Sequence, residues 1–289
     1  MPGLCDRCYL LFQRSLPQHL LSRTAGLIAN SRQPWLKDWL IRLAIRHYGI
    51  DLTEAAEPDP HRYASFNEFF TRALRPGVRP LADGDHSVAA PADGTISAVG
   101  RLDGNQLLQA KGHRFSLEAL LDESSARTRA LQGGTFITIY LSPRDYHRVH
   151  APMAGELIAA NYIPGRLFSV NSRTDEALPG LYSGNERLVC WLDTEAGKIA
   201  LVMVGALLVA GIETVWQGLY PPGRRFRRDL RAEGSSRRFA RGEEIGRFRF
   251  GSTVILLLPP TAEPTAILAG QPVRMGQGLA QYPPASADG

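Results

Sequence analysis

From Val88 onward the sequence breaks into short apolar runs separated by Gly, Pro and Asp, and that punctuation limits what the chain can build. The runs Phe136 to Leu141, Leu188 to Leu192, Ile199 to Val204 and Val254 to Leu258 have strand length. With 28 Gly and 20 Pro, a turn-rich β domain is favoured over a helical bundle. Two stretches inside it echo one another. Ala90-Pro91-Ala92-Asp93-Gly94-Thr95-Ile96 parallels Ala151-Pro152-Met153-Ala154-Gly155-Glu156-Leu157, each with an A-P-x-x-G pattern leading into a strand. Two similar hairpin units packing their apolar faces together would account for the echo.

The first fifty residues have a different period. Leu10, Leu11, Leu16, Leu20 and Leu21, then Leu36, Trp39, Leu40, Leu43 and Ile45, recur at helical spacing, with Pro17 and Pro34 as punctuation. Two or three short helices are expected between Leu4 and Tyr48. Their polar faces are dominated by arginine, and helices rich in Trp, Leu and Arg can lie in a bilayer interface or pack as a layer on the rest of the protein. Asp51 to Pro60 is a connector, and Phe66 to Leu74 predicts a short helix ended by Arg75-Pro76. The expected fold is therefore α+β: an N-terminal helical region, residues 1–75, then a β-rich catalytic domain, residues 76–289.

A formal charge of +5 is compatible with nucleic acid, an anionic membrane or an anionic substrate, and does not choose among them. Arg224 to Arg249 is strongly basic but carries no nucleic-acid motif, so no nucleic acid is expected. Cys5, Cys8 and Cys190 are too few and too scattered for a disulfide framework, and Cys5-x-x-Cys8 lacks a second ligand pair, so no metal is expected. No signal peptide is expected, and the longest uncharged run, Ile199 to Ile212, is too short for a transmembrane span.

Phe250-Gly251-Ser252-Thr253 stands before the last apolar run. Tyr146-His147-Arg148-Val149-His150 and Pro91-Ala92-Asp93-Gly94 lie upstream. Ser, His and Asp together can form a base-activated nucleophile oriented by a carboxylate. One outcome is a serine protease or esterase using Asp93, His150 and Ser252, although Ser252 is in no G-x-S-x-G elbow. Another is a non-enzymatic lipoyl-like carrier, although neither echoed segment holds a Lys for attachment.

These three pieces, with Phe66-Asn67-Glu68-Phe69-Phe70, Gln109-Ala110-Lys111-Gly112-His113, Asn185-Glu186-Arg187 and Gly211-Ile212-Glu213-Thr214-Val215-Trp216, resemble the bacterial phosphatidylserine decarboxylase proenzymes over nearly the whole chain. The one departure noted is Phe250, where the family usually has Leu. The echo also resembles the half-repeats of lipoyl-carrier-like β-sandwich hybrid folds. The family resemblance implies self-cleavage between Gly251 and Ser252 into a β chain, 1–251, and an α chain, 252–289. It implies a covalent pyruvoyl group made from Ser252, serving as Schiff-base partner of the substrate amine and as electron sink. It gives His150 the role of processing base, oriented by Asp93. Gly251 would let the hydroxyl approach and tolerate a strained backbone. His147 is a candidate proton donor or carboxylate partner in turnover; Lys111 and His113 have no assigned role. The reaction implied is phosphatidylserine to phosphatidylethanolamine and CO2. The expected partners are phosphatidylserine in an anionic membrane and the two chains of one precursor, with a homodimer left open. The expected location is peripheral, on the cytoplasmic face of the inner membrane, with Leu10, Leu11, Trp35, Trp39 and Leu40 as apolar contacts and Arg14, Arg32, Lys37 and Arg42 near phosphates.

Overall fold

The computed structural model describes residues 4–109, 112–207, 211–249 and 251–283. Helices α1 (Leu4–Ser15), α2 (Gln18–Ala29), α3 (Pro34–Tyr48) and α4 (Phe66–Phe70) come first. Pro34 opens α3, and Gly49, at φ 65°, closes it in the left-handed conformation that glycine adopts without steric cost. The Ser65 hydroxyl accepts from the Glu68 amide and caps α4. That helix is shorter than the expected Phe66 to Leu74. It is capped at Thr71, and Leu74 leaves it to bridge Ala55.

Strands β1 (Ser87–Ala89), β2 (Gly94–Arg101), β3 (Gln106–Leu108) and β4 (Arg114–Ser116) precede helices α5 (Leu117–Leu121) and α6 (Ala126–Ala130). Then come β5 (Thr135–Leu141), β6 (Arg148–His150), β7 (Gly155–Ile163), α7 (Ser172–Ala177), α8 (Leu181–Gly184), β8 (Arg187–Thr194) and β9 (Gly197–Val204). The chain continues through β10 (Ile212–Thr214), β11 (Gly218–Leu219), β12 (Phe226–Asp229), β13 (Arg237–Phe239), β14 (Glu244–Phe248) and β15 (Ser252–Leu258). Short strands β16 (Glu263–Pro264), β17 (Pro272–Val273) and β18 (Gly278–Gln281) finish it. The expected helices and the four expected strands are present, so the architecture is α+β.

The main sheet runs β12-β7-β8-β9-β15-β5-β2-β17, antiparallel throughout, with β13 also on β7. A second sheet runs β11-β10-β14-β6. Strand β15 lies in the middle of the main sheet and is buried along its whole length. Its side chains alternate. Val254, Leu256 and Leu258 join Val149, Ile245 and Phe248 of the second sheet in one core. Ile255 and Leu257 join Leu117, Leu120 and Tyr182 in another. Both faces being covered explains why this strand has no polar alternation.

The echoed segments are joined to each other. The Ala89 amide donates to the Pro152 carbonyl and the His150 amide to the Pro91 carbonyl, both at 2.8 Å. Each segment's alanine also pairs with a turn glycine: Gly276 donates to the Ala90 carbonyl, and Gly242 to that of Ala151. Strands β2 and β7 begin at the equivalent glycines, Gly94 and Gly155.

The first two helices bury polar groups and expose apolar ones. Gln13 and Gln18 are buried and accept the amides of Ser169 and Leu167, while Leu11, Phe12, Leu20, Leu27 and Ile28 face outward. On α3, Trp35, Trp39 and Leu43 form an exposed stripe at a spacing of four. Two expected interface residues lie elsewhere: Leu10 is buried, and Lys37 is buried with its ammonium on Asp38 and the His61 carbonyl. Among the described residues no helix is long and apolar enough to cross a membrane. The arginine-rich stretch forms β12 and β13 on the edge of β7, and many of its charges are matched: Arg225 and Arg227 by Asp122, Arg228 by Glu233, Arg231 by Glu156 and Asp193, Arg237 by Glu243.

Candidate active site

Two ladders meet at Ser252. Strand β5 ends at Leu141, directly opposite Ser252 on β15. The chain then turns through Ser142 to Asp145, where the Asp145 carboxylate accepts both the amide and the hydroxyl of Ser142 at 2.7 Å. It re-enters as β6, paired with β14, and the Phe248 amide donates to the His147 carbonyl. Only residues 249 to 251 connect β14 to β15, so His147, beside Phe248, is carried toward the end of the strand that bears the serine, while His150 pairs opposite Glu244 at the other end of β14. Phe250, within that connection, lies outside the described residues, as do Ala110 and Lys111.

Ser252 is wholly buried, and its Oγ has no hydrogen-bond partner among the described residues. By strand alternation it points to the same face as Val254, toward the sheet that holds β6. A buried hydroxyl without a partner is costly, about 1–3 kcal/mol, and calls for an explanation. Gly251 is not in the left-handed region, so the expected strained backbone is absent there. A Cβ on it would meet nothing closer than the Leu141 carbonyl oxygen at 3.8 Å, so what glycine leaves beside Ser252 is room.

His147 Nδ1 lies 2.8 Å from the Asp145 carbonyl. A carbonyl only accepts, so Nδ1 carries the proton and Nε2 of the neutral ring is a bare acceptor. That Nε2 is buried with no partner among the described residues. Burial pushes the His147 pKa down to about 3, with the nearby charge of Arg72 acting in the same direction. The Phe70 ring packs against the imidazole at 4.1 Å between centroids.

His150 is set up in the same tautomer. Its Nδ1 donates to the Gly242 carbonyl at 2.9 Å, and its Nε2 accepts from the Tyr146 hydroxyl at 3.0 Å. Burial lowers its pKa also. The orienting role expected of Asp93 does not take the form of a hydrogen bond to His150. The Asp93 carboxylate is held by Arg79, with Nε at 3.0 Å and Nη2 at 2.5 Å, and by the Met275 amide at 2.8 Å. A guanidinium fork outcompetes an imidazole for a carboxylate, and Gly242 already satisfies the ring. His113 bonds the Glu176 carbonyl.

Two cavities border this centre. A polar one of about 300 Å³ is lined by Asp93, Tyr146, Arg72 and Arg79 among others. An apolar groove of about 580 Å³ runs between α2 and α3, lined by Ile28, Leu40, Leu43, Tyr48 and Phe66, with Arg249 at its edge. Tyr146, Arg72 and Arg79 had no role in the sequence reading. Tyr146 stands in the motif of the two histidines, which could have pointed to it; Arg72 and Arg79 are a common residue type, and only burial sets them apart.

The sequence matches a family model described as phosphatidylserine decarboxylase over residues 66–281, and a model described as PSD over residues 9–49. It is 48% identical over 280 residues to the phosphatidylserine decarboxylase proenzyme of Bordetella pertussis, covering 95% of this chain and 94% of that one. The proenzyme of Pseudomonas aeruginosa strain LESB58 is also 48% identical, over 95% of this chain and 97% of its own. That of Stutzerimonas stutzeri is 46% identical over 96% and 95% respectively.

Proposed function

The chain belongs to the phosphatidylserine decarboxylase proenzymes, and on that premise we propose that it converts phosphatidylserine to phosphatidylethanolamine and CO2 after cutting itself between Gly251 and Ser252. The observation that carries the reading is the buried Ser252 hydroxyl, without a partner among the described residues, beside an unobstructed Gly251, with the neutral imidazole of His147 carried toward the same strand end and that of His150 further along β6. A serine hydrolase needs its nucleophile open to an incoming substrate, and Ser252 is wholly covered, which suits an attack on its own backbone.

Processing needs a base, because a hydroxyl at its ordinary pKa is a weak nucleophile. His150 Nε2 takes the Ser252 proton once Tyr146 releases it. The oxygen then attacks the Gly251 carbonyl carbon, and the amide becomes an ester. Loss of the Cα proton of Ser252 expels the Gly251 carboxylate, and water replaces the nitrogen as ammonia, leaving a pyruvoyl-headed chain 252–289. Bound there, the pyruvoyl carbonyl supplies the electron sink for decarboxylation. Asp93, clamped by Arg79, acts on His150 through its charge. His147, dry and with a bare Nε2, accepts a proton during turnover and returns it to the substrate's α-carbon; its alternative role, a carboxylate contact, requires Nε2 to be protonated first.

The helical region, 1–75, serves the membrane and 76–289 the chemistry. The outward Leu11, Phe12, Leu20, Leu27, Trp35 and Trp39 suit a peripheral position on an anionic leaflet, the cytoplasmic face of the inner membrane, with exposed Arg14, Arg32 and Arg42 available to phosphates. The apolar groove between α2 and α3 fits an acyl chain. The test is intact mass and CO2 release. Wild-type protein should yield two chains and decarboxylate phosphatidylserine, and Ser252→Ala should stay whole and inactive. A single uncut chain that decarboxylates overturns the reading.

A further inference from the structure

Arg72, in the strap that follows α4, is 5% exposed. Its Nη2 donates to the Arg144 carbonyl at 3.2 Å, and the Phe69 ring lies 5.6 Å from its guanidinium carbon. Its Nε and Nη1 are buried and have no partner among the described residues. The other arginines around the polar cavity are matched: Arg79 by Asp93 and Glu54, Arg274 by Glu54, Arg144 by Asp145. The carboxylates there are engaged too, with Asp51 bonded to Thr53 and Asp145 to Ser142. Arg72 forms no ion pair with any described carboxylate. A guanidinium keeps its proton at neutral pH, and a buried charge with free donors is costly unless an anion meets it.

The position suits the substrate. Gly94 and Thr95 line the cavity, Thr95 pairs with Tyr140, and the next residue, Leu141, pairs with Ser252. The cavity edge is thus two strand spacings from Ser252, about 10 Å. A serine phosphodiester carries its phosphorus only a few bonds from the α-carbon, so an amine held at Ser252 directs the phosphate toward this edge.

We infer that Arg72 binds the phosphodiester of the substrate headgroup, an inference that rests on the decarboxylase reading. The substrate carboxylate is the poorer match. Its charge leaves in the reaction, so a guanidinium on it would stabilise the ground state more than the transition state. The phosphate keeps its charge throughout, so a guanidinium there strengthens binding without slowing chemistry.

The experiment compares processed wild-type enzyme with Arg72→Gln and Arg72→Lys, using phosphatidylserine in detergent micelles. Chain cleavage on a gel reports folding and processing separately. Arg72→Gln should cut normally, and its KM should rise by about tenfold or more, the scale of a lost charge-assisted hydrogen bond, with kcat little changed. Arg72→Lys should recover part of that loss. In the wild type, sn-glycero-3-phosphoserine should inhibit at a far lower concentration than serine does, and inorganic phosphate should compete with substrate. Arg72→Gln should abolish both effects. A fall in kcat with unchanged KM overturns the inference, as does equal inhibition by the two serine compounds in the wild type. Phosphate competition lost in Arg72→Gln without a change in substrate KM marks a free-anion site and overturns it too. If Arg72→Gln does not cut, Arg72→Lys, which keeps the charge, replaces it in the same assays, and an unchanged KM and unchanged phosphate competition there overturn the inference. Failure of the function reading looks different: the wild type itself stays uncut or releases no CO2.

Discussion

The Tyr146 hydroxyl lies 3.0 Å from Nε2 of His150 and occupies the lone pair that a processing base must use. The Gly242 carbonyl fixes the proton on Nδ1, so no other basic position exists on that ring. Tyr146 is buried, and burial raises its pKa, so it stays a donor at all ordinary pH.

Tyr146→Phe should therefore speed self-cleavage. It removes a donor that stabilises the occupied imidazole and leaves Nε2 free for the Ser252 proton. The check is a time course of chain cleavage in freshly translated protein; slower cleavage would make the hydroxyl a relay instead of a plug.

The two histidines should separate by function. His150→Ala is expected to stay uncut. His147→Ala is expected to cut at least partly and to decarboxylate poorly, by roughly a hundredfold for a lost general acid–base group. Gel and CO2 assays on the same preparations give both readouts, and the reverse pattern exchanges the roles.

Stability should fall as the solution is acidified. His147 has a folded pKa near 3 against 6.5 for the free side chain, and His150 is also depressed. Above pH 6.5 neither state binds the proton. Below it the unfolded chain does so first, so folding weakens by up to about 1.4 kcal/mol per pH unit for each depressed histidine, until the folded value is reached. Urea unfolding of Ser252→Ala between pH 7 and 4 measures the slope, and His147→Asn in the same background should reduce it.

Breaking the Arg79 clamp should cost more than a surface pair would. Both side chains are at most a tenth exposed. Arg79→Met leaves Asp93 buried and unmatched, a loss on the order of 3 kcal/mol. Urea midpoints of Ser252→Ala with and without Arg79→Met read it; a change below about 1 kcal/mol, the ordinary value of an exposed pair, would show that the clamp contributes little.

Membrane binding should depend on the exposed stripe of α3. Replacing Trp35, Trp39 and Leu43 together by Ser removes three exposed apolar side chains and touches no group of the cleavage site. The variant should cut itself normally but fail to sediment with phosphatidylserine-containing vesicles. Salt should weaken wild-type binding without abolishing it, because the apolar part is not screened. Binding equal to the parent would move the anchor off α3.

The sequence by itself determined the order of helices then strands, since hydrophobic period and Gly/Pro punctuation are local properties. It determined Ser252, His147, His150 and Asp93 as the residues to watch, because they sit in compact motifs. It marked the two A-P-x-x-G segments as equivalent, which their reciprocal hydrogen bonds bear out. The tertiary structure decided everything that depends on which groups compete for a partner. Asp93 goes to Arg79 and not to His150, although both motifs carry their residues in plain view, because the Arg79 guanidinium offers the stronger, forked hydrogen bonds. Lys37 turns inward to Asp38 and His61, while Gln13 and Gln18 turn inward so that leucines face out. Arg72 is one arginine among many in the chain, and only its burial with no ion pair among the described residues singles it out. Helical period can be read along the chain, but burial and pairing are set by residues far apart in it, and no local pattern encodes them.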